Sequence, residues 1–85
     1  MLSQYKARQR HQKIMRVAHH LLREAADRRR PESLRYNPAA VDVTAQDVVA
    51  FAFGRHQLDV DVDEAQKFLD AARVSRGETA APATA

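Results

Sequence analysis

From Ile14 to Ala25 the apolar residues recur at threes and fours: Ile14, Val17, Ala18, Leu21, Leu22 and Ala25. That spacing stacks them on one face of a 3.6-residue period and predicts an amphipathic helix over residues 3–29. The opposite face carries Lys13, Arg16, His20, Arg23 and Asp27, with His20 to Glu24 and Arg23 to Asp27 spaced for local pairs. Arg28, Arg29 and Arg30 then set cations at the negative end of the helix, and Pro31 cannot continue it. Toward the N-terminus the stripe needs apolar residues at 10 and 11 and meets Arg10 and His11. The first turns are therefore expected to project past the core as a basic extension, anchored by Leu2, Tyr5 or Ala7.

Two shorter helices follow from local signals. Thr44 with Asp47 approximates a capping box, Val43 and Val48 occupy the staple positions, and Gly54 supplies a residue able to leave through positive φ. The second helix is expected over 44–54, and its run of Val48, Val49, Phe51, Ala52 and Phe53 is more apolar than one buried side requires. Asp61 and Glu64 repeat the box before a third helix over 61–75, with Val60 and Ala65 as staple and Ala65, Phe68, Leu69, Ala72 and Val74 facing inward. Between the first two helices lies a connector whose Asn37-Pro38 favours a turn; Leu34 and Tyr36 are expected to pack back on the domain, and residues 39–43 read as loop because a lone short strand has no mate. The fold class is thus all-α, a small three-helix domain over residues 1–76 with a disordered tail over 77–85 of small, weakly patterned residues.

With 85 residues and no Trp, the core must come mostly from aliphatic side chains, and a second copy or a partner would add to a small stability. The absence of Cys removes disulfides and thiolate ligands and fits a reducing compartment, so a cytoplasmic location is expected. No run approaches the roughly 18 apolar residues of a membrane span. An amphipathic cationic first helix can lie on a membrane surface, but its apolar face is poor in large aromatics and is needed for folding, so no membrane partner is expected.

Charge separates along the chain. Residues 1–35 hold ten Lys or Arg against three acids, a local +7; residues 36–85 hold four against eight, a local −4, together the net +3. A basic half can meet phosphates or an acidic protein, and the acidic half can pair with a second copy. Lys6, Arg8, Arg10, Lys13 and Arg16 precede any acid and are the candidate phosphate contacts, with Gln4, Gln9, Gln12 and Arg8 able to reach base edges. The plainer reading of the same residues is a solvated helix face.

Other chemistries fit the residues poorly. A helix-turn-helix over residues 44–76 would have too long a turn, and Asp61, Asp63 and Glu64 would open its recognition helix against phosphate. Asp59, Asp61 and Asp63 match part of a calcium-loop spacing, but Glu64 stands where the loop needs Gly and Asp70 replaces the bidentate Glu. His11, His19, His20 and His56 do not converge by spacing, so no metal site and no cofactor are expected. With Gly only at 54 and 77 and no Ser placed as a nucleophile, catalysis and a small-molecule substrate are not expected either. The resulting expectation is a non-catalytic nucleic-acid-associated protein binding through its basic helix. The alternative is an adaptor that docks on a protein, or on its own copy as a homodimer, with Leu34, Tyr36, Phe51 and Phe53 as apolar anchors.

Overall fold

The computed structural model describes residues 2–77, with side chains from residue 4 onward. Three helices carry the chain: α1 (Leu2–Arg28), α2 (Ala45–His56) and α3 (Val62–Ser75), with no strand among the described residues. Of the expected tail only Gly77 is described, in a turn at φ +82°; the rest lies outside the described residues. Each helix packs on the other two, and α1 is the platform for the shorter pair.

The core lies where the apolar stripe of α1 meets both short helices. Ile14, Val17, Ala18 and Leu22 of α1 close against Ala45, Val48 and Ala52 of α2 and Ala65, Leu69 and Ala72 of α3, with Val60 capping the α2–α3 turn. Ala18, Ala45, Ala52, Ala65 and Ala72 place a small side chain in the core from every helix, which lets the three approach closely. Leu21, Val49, Phe51 and Phe68 pack at the margins. Val74, expected inward, is 59% exposed, because the last turn of α3 carries it round the helix from the Leu69–Ala72 line.

The start of α2 follows the expected chemistry. The Asp47 N–H donates to Thr44 Oγ1 at 3.3 Å and the Thr44 N–H donates to Asp47 Oδ2 at 2.9 Å, a closed capping box. In α3 only half of the box forms: the Glu64 N–H donates to Asp61 Oδ1 at 2.7 Å, while the Glu64 carboxylate turns to Arg10. The expected end of α2 at Gly54 is corrected. The helix runs through Gly54 to His56, and Gln57 takes the left-handed conformation (φ 52°, ψ 37°). Its N–H donates to the Phe53 carbonyl at 2.9 Å and the Leu58 N–H to the Ala52 carbonyl at 3.3 Å, so the last carbonyls are satisfied three residues later than the glycine suggests.

The connector is tied down by polar groups. The Asn37 N–H donates to the Arg28 carbonyl at 2.8 Å, Arg29 pairs with Asp42, and Arg73 Nη2 donates to the Val43 carbonyl at 3.1 Å. Val43 supplies the apolar contact to the core. Leu34 is fully exposed and Tyr36 is 44% exposed, against the expectation that both pack back, because the turns at residues 30–36 hold them outside the space Val43 already fills.

Candidate nucleic-acid interface

The outward face of α1 is set by the same period that builds its core face. Lys6, Gln9, Lys13, Arg16, His20 and Arg23 follow one another at threes and fours, opposite the buried stripe, and so share one side of the helix. From Lys6 to Arg23 the rise is about 25 Å. Lys6, Lys13, Arg16 and Arg23 are exposed and make no ion pair with any acid among the described residues. Beside them the Gln9 amide donates to the Tyr5 hydroxyl at 2.8 Å, and Gln12 is exposed one turn on.

Of the sequence-based set, Arg8 and Lys6 stand at opposite edges of this stripe and Arg10 lies elsewhere. Arg8 is exposed and lies about 60° round the helix from Arg23, on the edge of the stripe away from Lys6. Arg10 is engaged within the fold. Its Nη1 donates to Glu64 Oε2 at 2.6 Å, and its Nη2 donates to Glu64 Oε1 and to the Asp59 carbonyl, both at 2.8 Å. This two-pronged pair holds the Glu64 carboxyl below its ordinary pKa, the Arg10 hydrogen bond being the largest cause, and keeps the Arg10 guanidinium charged to higher pH. His11 sets its ring edge-on to Phe68 with centroids 4.8 Å apart. Arg10 and His11 thus dock α1 on the start of α3, and the projecting extension is shorter than expected, comprising the turns before Arg10.

Toward its C-terminus the outward face is neutralised. Glu24 gathers His20 Nε2 at 3.2 Å, Arg28 at 3.5 Å and Arg35 at 3.6 Å. The outward cations without an acid partner among the described residues therefore concentrate between Lys6 and Arg23. Arg23 lies outside the five candidates chosen by order in the chain, yet it belongs to this stripe; the three-four spacing of the cations themselves is the signal that finds it.

The apolar candidates do not form one surface. Leu34 and Tyr36 lie on the connector, whereas Phe51 and Phe53 are two positions apart on α2 and point to different sides. Phe51 is half-buried between the His20 ring, 5.3 Å between centroids, and the Arg55 guanidinium, 5.9 Å from its ring centre. It forms part of an open groove of about 840 Å³ whose apolar wall includes Leu21, Val41, Val43 and Ala50. Phe53 is 59% exposed and borders a second groove, of about 760 Å³, at the α2–α3 turn.

Among the described residues no three His, Asp or Glu side chains converge to hold a metal ion, and no helix is long and apolar enough to cross a membrane. No protein-family model matches the chain, and neither does any curated protein or solved structure.

Proposed function

We propose that the protein associates with nucleic acid without catalysing a reaction, holding phosphates along the outward face of α1 through Lys6, Lys13, Arg16 and Arg23. What carries this reading is the stripe itself: four cations over about 25 Å, exposed, on one side of a helix, and without acid partners among the described residues. Lysine and arginine on a helix surface contribute little to folding when unpaired, so their alignment is best accounted for by an external anion. A phosphate backbone supplies anions in a row, and release of its counterions favours binding. Gln9, Gln12 and Tyr5 lie along the same side and can reach sugars or base edges.

Titration of a generic duplex and a generic single strand, at low and moderate salt, tests this. Wild type is expected to bind at tens of micromolar or tighter in low salt, within the range of nonspecific complexes. Reversing Lys13, Arg16 and Arg23 to Glu should weaken binding by about 100-fold and flatten the salt dependence by roughly 0.9 units for each phosphate no longer neutralised. Lys67→Glu on α3 serves as a control of equal charge type and should change affinity by no more than about threefold. If wild type binds neither nucleic acid, the phosphate reading falls.

A second reading rests on the groove beside Phe51: an adaptor whose basic helix meets an acidic protein and whose apolar wall of Leu21, Val41 and Val43 receives an apolar side chain. It takes precedence if nucleic acid does not bind.

A further inference from the structure

The cations on the first turns of α1 do not form a single line. At about 100° per residue, Lys6 and Arg8 each stand about 80° from Arg16 round the helix, on opposite sides of it, and Lys13 stands about 60° from Arg16 on the Lys6 side. Both edges are exposed, and neither Lys6, Arg8 nor Lys13 pairs with an acid among the described residues. The sector between them holds Tyr5, Gln9 and Gln12, exposed and uncharged, with the Gln9 amide on the Tyr5 hydroxyl. No acid interrupts this face, because Glu24 is the first in the chain. Arg10 and His11, which meet Glu64 and Phe68 of α3, point about 120° and 140° from Arg16 and lie behind it.

We infer that the ligand of this face is B-form duplex DNA, with the first turns of α1 lodged in its major groove; the inference rests on the phosphate reading above and adds which nucleic acid and which groove. Cations about 160° apart on a helix cannot both face one flat anionic surface. They both meet anions when the helix lies between two walls, with Arg8 toward the phosphates of one strand and Lys6 and Lys13 toward those of the other. The uncharged ridge between the edges then faces the groove floor. There the Gln12 amide gives and takes hydrogen bonds, which matches the donor and acceptor that adenine presents together. Width selects the duplex: an α-helix with its side chains is about 10–12 Å across and the B-form major groove about 12 Å wide, whereas the A-form RNA groove is too narrow to admit it and a single strand offers one wall. Arg16 and Arg23 follow on the midline and meet backbone as the straight helix leaves the curved groove. Helices α2 and α3 pack on the buried side of α1, which leaves the approach open among the described residues.

Fluorescence anisotropy with one sequence prepared as duplex DNA, duplex RNA and single-stranded DNA tests the choice. At moderate salt the DNA duplex should bind about tenfold more tightly than either of the others, since it alone meets both edges. Arg8→Glu and Lys6→Glu should each weaken duplex binding by about tenfold and lower its salt slope by roughly 0.9. Both side chains are exposed, so circular dichroism should keep the wild-type signal. Dimethyl sulfate identifies the groove: on the saturated duplex, guanine N7 in the major groove should be protected, while adenine N3 in the minor groove should react as in free DNA. The groove inference falls and the phosphate reading stands if duplex RNA or the single strand binds as tightly as duplex DNA, if Arg8→Glu leaves duplex affinity unchanged, or if adenine N3 is the protected atom. Absence of binding to all three overturns both.

Discussion

Helices α2 and α3 begin with the same device and put it to different use. Both start on a side chain that accepts the backbone N–H three residues on, Thr44 for α2 and Asp61 for α3. In α2 the third residue is Asp47, whose short carboxylate returns to the Thr44 N–H, so the cap is closed locally. In α3 it is Glu64, one methylene longer, and its carboxylate goes to Arg10, 54 residues earlier in the chain. One helix start is self-contained and the other is a tertiary joint. The ends differ as well: α2 carries a glycine within its last turn and stops on a left-handed Gln57, whereas α3 stops on Arg76 without positive φ.

Stability should fall most when a substitution removes what the two helices share, which is burial against the Ile14–Leu22 face. Leu69 is 1% exposed, and Leu69→Ala should lower unfolding free energy by about 2–4 kcal/mol. Val48→Ala, with fewer carbons to lose, should cost somewhat less, both measured by urea unfolding. Comparable small losses at both sites would mean that the core is not where these two helices are held.

A smaller change distinguishes the local cap from the tertiary joint. Arg10→Ala should cost about 1 kcal/mol, below the value for a fully buried pair because both side chains keep about one-third exposure. Its dependence on pH has a definite direction. The Glu64 carboxyl titrates below its ordinary range in the folded chain, so the pair contributes in full above about pH 4.3, the unfolded value, and the contribution fades as pH falls through the lowered folded value. Arg10→Ala should remove that acid-sensitive part of the stability curve. Thr44→Ala should cost a similar amount through the lost cap, about 1 kcal/mol, with no effect on the Arg10–Glu64 coupling measured by a double-mutant cycle.

The least change concerns the helix ends and runs toward stability. A Cβ added at Gly54 meets no atom within 4 Å, and the residue lies inside the helix without positive φ. Gly54→Ala should therefore raise stability by about 0.5–1 kcal/mol. If thermal unfolding shows a loss instead, the helix ends at Gly54 in solution and the left-handed residue has moved to it.

Much of this architecture can be read from neighbours a few residues apart. The three-four spacing of Ile14 to Ala25, the Thr44–Asp47 box and the Asp61 cap each act within one or two turns, so the existence of all three helices and the starts of the two short ones follow directly. The end of α2 does not, because glycine is permissive and not obligatory: Gln57 accepts φ 52° once Ala52 and Phe53 present carbonyls to be satisfied. For the candidate interface, nearness in the chain groups Lys6, Arg8, Arg10, Lys13 and Arg16 together, although the α3 start takes Arg10.

The helical class, the buried stripe and the caps depend on periodicity and on hydrogen bonds between residues at most four apart, so the order of amino acids is enough to specify them. Which charges are left for a partner is a matter of the folded chain. An arginine on a helix looks the same in sequence whether it faces water or Glu64, and the difference comes from long-range packing, which carries α3 alongside α1 and brings two residues 54 positions apart to 2.6 Å.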